Sequence, residues 1–426
     1  MAVTQSLSPS FEIFMGVLEF LAATWFLWLP IFLFYTFREN WLAYVRACNL
    51  STMKWILLEI KVPREVAKSP KAMESIFAGI HGTGKGGNLV DKYWKGVFSP
   101  WFSLEIVGNS TGVHFFIWTP TFYKKLIESQ IFAQYPSCEI TETEDYTKSL
   151  PAYMPNSEWG MWGTEFVLTK PDAYPIRTYE DFTLEKVALK EEDRKIDPLS
   201  SMMEFLGSLN ESEYICIQMV VRPAGDGWKK EGEALIGKLA GRETKRDESF
   251  VTKAVYGVSK EVKMWNPVAT EKKEGPSKLS TLTPGELDVI KAIERNISKI
   301  GLEVGLRWMY LAKRDLYNPL AIPAVMGIFK QFAAPTLNGF RPNKLVTPSV
   351  DYFFKNKREA LRKRRLYDAY KLRSFFMHPY GNKSKRFVLS TEELATIYHF
   401  PGTVVGAPGF ARIEAKKGTP PANLPM

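Results

Sequence analysis

The residues of this chain that could do chemistry are few and scattered. The most suggestive group is His81-Gly-Thr-Gly-Lys-Gly-Gly (81–87), because a glycine-rich loop ending in lysine can wrap a phosphate in backbone N–H groups. A nucleotide loop reads G-x-x-x-x-G-K-[ST]. Gly79 and Gly84-Lys85 meet part of that pattern, but Gly86 stands where a hydroxyl must hold Mg²⁺. The segment also follows a helical pattern instead of joining a strand to a helix, so no helix N-terminus faces the phosphate. It reads as a flexible connection, and no Walker-type ATPase is encoded.

Glu142, Glu144 and Asp145 could attract a cation, although such a cluster after a strand is more commonly a solvated turn. His378-Pro-Tyr and His399-Phe-Pro each place a lone histidine beside proline, with no Cys or carboxylate partner close in sequence. The words H-E-x-x-H and G-x-S-x-G and the kinase signature set are absent. Cys48, Cys138 and Cys216 lie far apart and suit a reducing compartment, not a zinc site or a disulfide framework. With four histidines in 426 residues, no metal, cofactor or enzymatic activity is expected.

The strongest physical signal is charge. Residues 355–386 hold twelve Lys or Arg against Glu359 and Asp368, a net of +10, which equals the net charge of the whole chain. The pI of 9.2 therefore reports a local patch on an otherwise balanced protein. On a helical wheel Phe354, Leu361 and Leu372 form one narrow seam interrupted by Arg358 and Arg365. Such a helix is expected to bury little of itself and to hold its charge in solvent or against a partner. The candidate binding residues are Arg358, Arg362, Lys363, Arg364, Arg365, Lys371 and Arg373. Nucleic acid phosphates, an anionic leaflet and an acidic protein face are the competing partners. Tyr367, Tyr370, Phe375 and Phe376 could stack on single-stranded bases.

The elements that must position these residues begin with an apolar run. Ile13 to Tyr35 is 23 residues with one charge, Glu19. About 20 apolar residues span a hydrocarbon core, so 13–35 is expected to be a single transmembrane anchor following a short extracytoplasmic N-terminus, 1–12. Trp25, Trp28 and Tyr35 fit an aromatic belt. No Lys or Arg precedes the run, whereas Arg38, Arg46 and Lys54 follow it, which puts the long C-terminal part in the cytoplasm of an inner-membrane protein. A cleaved signal peptide competes, but it calls for a positive n-region and a shorter apolar core.

Beyond Met53 the pattern predicts an α+β fold. A strand at 55–61, a helix within 63–81, strands at 101–107 and 113–119, a helix over 120–135 and a strand at 138–143 give the order β-α-β-β-α-β of a ferredoxin-like domain, 53–145. A looser second copy is expected in 160–345: strand 165–170, helix 198–209, strands 214–222 and 302–312, and helix 320–333. Residues 386–389 would close its sheet. Two helices, near 228–239 and 284–300, flank a Lys/Glu-dense insertion at 241–280 that reads as mobile. The basic segment 346–388 and a capped helix with a Pro-rich tail, 389–426, complete the chain. Residues 302–333 could also be two buried helices, because short apolar runs do not separate the cases.

The C-terminal words are the most specific. Leu389-Ser-Thr-Glu-Glu-Leu-Ala-Thr-Ile-Tyr-His-Phe-Pro-Gly (389–402) opens with the capping box Ser390/Glu393 and stops at Pro401. It resembles an element in the non-catalytic N-terminal region of membrane-anchored conjugation or type IV secretion ATPases. Trp55–Pro63, Met73–Phe77, Ile131–Asp145 and Pro420–Pro425 are similar to other parts of that region. The resemblance covers most of 53–426 and departs at Met426, where the P-loop motor domain of that group would begin. It implies a truncated relic or a split system, in which an adaptor subunit without ATPase activity docks a separate motor ATPase, with DNA as a further partner and a homo- or hetero-oligomeric assembly. Leu394, Ile397, Tyr398 and Phe400 would fix the docking element. The alternative is a membrane-tethered nucleic-acid-binding protein acting without a motor.

Overall fold

A continuous apolar run opens the chain and strand-like and helix-like patterns succeed it, and the computed structural model has helices followed by an α+β body. It describes residues 9–62, 69–84, 87–184, 197–241, 282–377, 380 and 384–401. The elements are α1 (Pro9–Ala23), α2 (Trp25–Thr52), β1 (Trp55–Lys61), α3 (Lys71–His81), α4 (Leu89–Tyr93), β2 (Phe102–Asn109), β3 (Gly112–Pro120), α5 (Lys124–Gln134) and β4 (Glu139–Thr143). Then come β5 (Trp159–Leu168), α6 (Tyr179–Leu184), α7 (Ser200–Gly207), β6 (Glu213–Pro223), α8 (Gly227–Leu239) and α9 (Pro284–Ser298). The last are β7 (Gly301–Lys313), α10 (Ala321–Lys330), β8 (Phe340–Pro342), α11 (Lys355–Lys371), β9 (Phe387–Ser390) and α12 (Thr391–Ile397). They divide into two units, residues 1–54 with 85–99 and residues 55–84 with 100–426.

The first unit is α1, α2 and α4. The expected single span over 13–35 is instead a helix pair bent by 77° at Thr24. The bend frees the Leu21 carbonyl, which accepts from Trp28 Nε1 at 3.0 Å, while Thr24 Oγ1 donates back to Phe20 at 2.7 Å. No single described helix is long and apolar enough to cross a membrane; the bent pair meets the length and composition test together. Trp41 Nε1 and Asn49 Nδ2 on α2 donate to the carbonyls of Tyr93 and Lys95 at 2.7 and 3.0 Å. Gly96 makes this approach possible. At φ +62° it lies in the left-handed region, and a Cβ there would sit 2.3 Å from the Val45 carbonyl oxygen.

The second unit is built on one nine-stranded antiparallel sheet. Its order is β4-β1-β3-β2-β6-β7-β5-β8, with β9 paired to β7 beside the end of β5. The strands expected for two separate domains, 53–145 and 160–345, thus join through β2 and β6, whose register pairs Phe102 with Val221 and Gly108 with Ile215. These central strands are buried along nearly their whole length, which requires cover on both faces. One face carries Leu104, Ile106, Ile217 and Leu306 against α3, α5, α7, α10 and α12. The other carries Val107, Phe116, Cys216 and Met309 against Leu150, Met154 and α11. Glu139 and Glu142 place charge on the edge strand β4, which discourages pairing with a further strand.

Several expected elements recur with shifted ends. Residues 301–313 are a strand and not part of a helix pair, and α10 follows as a helix. The segment ending at Leu389 does join the sheet, but beside β7; the β5 edge is closed by β8, which is too short to register as a pattern. The start of the 63–81 helix, Lys85 and Gly86 of the glycine loop, the insertion beyond Gly241, His378 and the Pro-rich tail from Gly402 lie outside the described residues.

The C-terminal docking residues are placed differently from the expectation. Leu394, Ile397, Tyr398 and Phe400 are all buried in the core formed with α3, β1 and β3, with Tyr398 donating to the Phe116 carbonyl at 3.2 Å. Four apolar residues over seven positions bury themselves before they can offer a surface. Replacement of Leu394 by Ala should destabilise the full chain by about 2–5 kcal/mol, the range for a leucine truncated in a packed core. Urea unfolding in detergent should show a lowered midpoint with an unchanged slope; an unshifted midpoint would return Leu394 to the surface.

Candidate functional site

The basic segment forms α11, whose Lys, Arg, Leu and Ala are good helix formers. It is not the solvated rod that its charge suggests. Leu366, Tyr367, Ala369 and Tyr370 are buried on the second sheet face, and Tyr367 donates to the Pro151 carbonyl at 2.5 Å. The helix ends where Arg373 adopts φ 48°, with Arg373 and Ser374 N–H groups returning to the carbonyls of Tyr370 and Ala369 at 3.0 Å each. A non-glycine residue there costs about 1–2 kcal/mol, and the side chain repays it.

Arg373 is 1% exposed and grips two carboxylates. Its Nε and Nη2 reach Glu105 at 2.9 and 3.3 Å, and its Nη1 and Nη2 reach Asp145 at 2.5 and 3.0 Å. Burial works against the guanidinium, yet Glu105 and Asp145 hold its pKa well above the ordinary value. Burial likewise raises Asp145, but the Arg373 contacts prevail and leave it below the usual carboxylate range. Ser103, Gln218 Nε2 and Tyr146 donate to Glu105 at 2.6, 2.9 and 2.6 Å, and the Tyr146 hydroxyl also meets that of Tyr370.

Sheet register explains why these groups meet. Glu105 lies opposite Gln218, Gln218 opposite Arg307, and Arg307 opposite Glu165, so one rung across four strands is polar. The Arg307 Nη2 donates to the Ser374 carbonyl at 2.6 Å and stands 3.5 Å from Glu165. Burial outweighs that longer pairing: it lowers the pKa of Arg307 and raises that of Glu165. Sequence reasoning missed this network. Its signal was one polar residue inside each apolar strand, as in YICIQMVVR and GLRWMYLAK.

The predicted binding residues separate into two groups. Arg358, Arg364 and Arg365 are exposed, Arg358 stacking on Tyr352 at 4.7 Å and Arg364 lying 3.8 Å from Asp368. Lys363 and Lys371 are half-buried, and Lys371 Nζ donates to Pro151 at 3.4 Å. Arg362 is absorbed by the fold, its Nη1 donating to the carbonyls of Lys344, Thr347 and Ser349 at 3.0, 2.7 and 3.1 Å. Arg373 is an internal anchor and cannot meet an external partner. Tyr367, Tyr370 and Phe375 are likewise buried and unavailable for base stacking. In the first unit Trp25, Trp28 and Tyr35 are exposed.

The other chemistry-bearing residues also serve the fold. Asp145 holds Arg373, and Glu142 pairs with Lys124 at 2.8 Å, so both of these acids face side-chain cations. His81 meets the Ala224 carbonyl at 3.3 Å, tying the end of α3 to the residue after β6. His399 lies between the Ala395 carbonyl and Asp197 at 2.8 and 2.9 Å. His114 joins Glu59 and Thr111 at 2.8 and 2.9 Å, while the Thr111 hydroxyl turns to Asn109 at 2.6 Å within the hairpin. Among the described residues no group of three His, Cys, Asp or Glu side chains is arranged to hold a metal ion.

Residues 48–409 match the sequence profile of a family described as a domain of unknown function (DUF8128). No curated protein matches the chain.

Two outcomes test the buried electrostatics. Arg373→Met should cost about 3–5 kcal/mol, because it strands two carboxylates, with Arg373→Lys recovering only part of it. The measurement is the urea midpoint of the full chain, and a loss below about 1 kcal/mol would show the ion pairs to be dispensable. Glu393 is the second case. Burial lifts its carboxyl to about 7 despite donors from Ser390 and Ile176. The unfolded value is about 4.3, so the fold favours the protonated acid and stability is lost as pH rises from about 4 through 7. The advantage of the wild type over Glu393→Gln should therefore shrink between pH 5 and pH 8; an unchanging difference would contradict the burial.

Proposed function

Because this chain belongs to the DUF8128 family, whose description states no activity, we propose its role from its own residues. It is a membrane-anchored, non-catalytic adaptor of a conjugation or type IV secretion-like machine, docking a separate motor ATPase. The observation that carries the anchoring is the exposure of large apolar residues along α1 and α2, from Phe14 through Trp25, Ile31 and Phe34 to Phe37. Leaving such a surface in water is unfavourable at about 25 cal/mol per Å². The cations that follow it, Arg38, Arg46 and Lys54, support the reading of the α+β body as cytoplasmic in an inner-membrane protein.

Within that body the strand order β4-β1-β3-β2 and its mirror β8-β5-β7-β6 suit two ferredoxin-like units joined edge to edge. Motor docking rests on the sequence resemblance at 389–402. Since Leu394, Ile397, Tyr398 and Phe400 are internal, that segment shapes the core, and the docking surface lies elsewhere. The exposed cations of α11 are available to an acidic partner.

Affinity purification from detergent-solubilised native membranes tests the role. A P-loop ATPase on a separate polypeptide should be recovered in stoichiometric amount. Recovery of the chain alone, or with nucleic acid only, would sink the adaptor reading and favour a tethered nucleic-acid binder.

A further inference from the structure

The seam of Phe354, Leu361 and Leu372 points away from the sheet. These residues are 73%, 49% and 58% exposed, and Phe353 immediately before them is 85% exposed. The apolar residues around Leu366, Tyr367 and Tyr370 are spent on the core, while Leu361 on the opposite side of the helix, with Phe354 and Leu372 at its two caps, is left outside. This outer seam is interleaved with exposed Lys357, Arg358, Arg364 and Arg365. Phe354 adopts φ 60° at the helix entrance, and Arg358 stacks on Tyr352, which shapes an aromatic tip at the cationic end.

The charges add a second argument. The first turn of α11 has no acidic residue and no capping side chain, while Lys355, Lys357 and Arg358 crowd the positive end of the helix dipole. Helix ends favour the opposite sign, so this end gains from a nearby anionic surface. An apolar stripe flanked by Lys and Arg, with aromatics at one end, is the pattern of a helix lying in the headgroup–acyl boundary of a bilayer. Phosphates of nucleic acid would match the cations but leave Leu361 and Leu372 without a counterpart.

We propose that the outer face of α11, from Tyr352 to Leu372, is an interfacial contact for an anionic lipid leaflet. The proposal rests on the membrane-anchored reading and names the acidic surface that α11 meets. Lys/Arg attraction to such a leaflet is electrostatic and falls off within a Debye length, so the contact requires anionic lipid and weakens with salt.

The test must read α11 locally, because α1 and α2 hold the full chain in a membrane whatever α11 does. Leu361→Cys in a Cys48→Ser background places one accessible thiol on the outer face. Cys138 and Cys216 are buried, with their thiols pushed up to about 11 and about 12, so they resist labelling. The full chain, labelled with a polarity-sensitive fluorophore, is reconstituted into nanodiscs of phosphatidylcholine alone or with phosphatidylglycerol. Anionic discs should blue-shift the emission and increase quenching by doxyl lipids several-fold over neutral discs. Lys357→Glu, Arg358→Glu, Arg364→Glu and Arg365→Glu together should abolish the difference.

A water-like emission in both compositions, or a response only to added DNA or to an acidic protein, would overturn the lipid contact while leaving the anchor intact. Failure of the chain to enter nanodiscs would instead remove the anchored reading. The label's response to added vesicles of the same two compositions then decides the fate of α11: a shift with anionic vesicles supports it and none overturns it.

Discussion

The second unit depends above all on the pairing of β2 with β6. It turns two potential sheet edges into the middle of one sheet, so Glu105 and Gln218 face each other far from water. A carboxylate in that position needs a cation and several donors, since the cost of burying an unpaired charge exceeds the stability of an average domain. Arg373 supplies the cation, and Ser103, Tyr146 and Gln218 supply the donors. Arg373 comes directly after α11, so neutralising Glu105 also fixes the helix end and the sheet face on which it lies. The basic helix is thus positioned by a charge buried beneath it, while its Lys355, Lys357, Arg358, Arg364 and Arg365 stay outside.

That dependence explains the split along α11. Its C-terminal half contributes Leu366, Tyr367 and Tyr370 to a packed core, which compensates for fixing the backbone. The N-terminal half has exposed Lys355, Lys357 and Arg358 against the helix dipole. Its Arg362 is held by three loop carbonyls, so the loop at 344–349 and the helix brace each other. A surface carried on such a braced helix presents its side chains with little freedom to rearrange.

The second unit was largely legible in sequence, because the apolar strand runs of β2, β3 and β6 and helical spacing over α3 and α5 are local properties. What escaped depends on contacts between distant segments. The seam of Phe354, Leu361 and Leu372 was visible, but periodicity does not say which side of the helix turns inward. Tyr367 and Tyr370 took the inner place because their rings and hydroxyls match partners at Pro151 and Tyr146. Arg362 and Arg373 looked like members of a uniform basic patch for the same reason: nothing local distinguishes a guanidinium bound to loop carbonyls from one facing solvent. The bend at Thr24 was hidden by hydropathy, which counts apolar residues without regard to the direction of the backbone.

Polar residues that look catalytic in isolation are drawn into structural bonds throughout the described chain. His114 and His399 each lie between acceptors or hydroxyls supplied by the fold, Asp145 is committed to Arg373, and Glu393 closes a capping box deep in the core. The surfaces left uncommitted are of another kind: apolar side chains on α1 and α2, and an apolar seam set among cations on α11. The apolar side chains in both are ones that water solvates poorly.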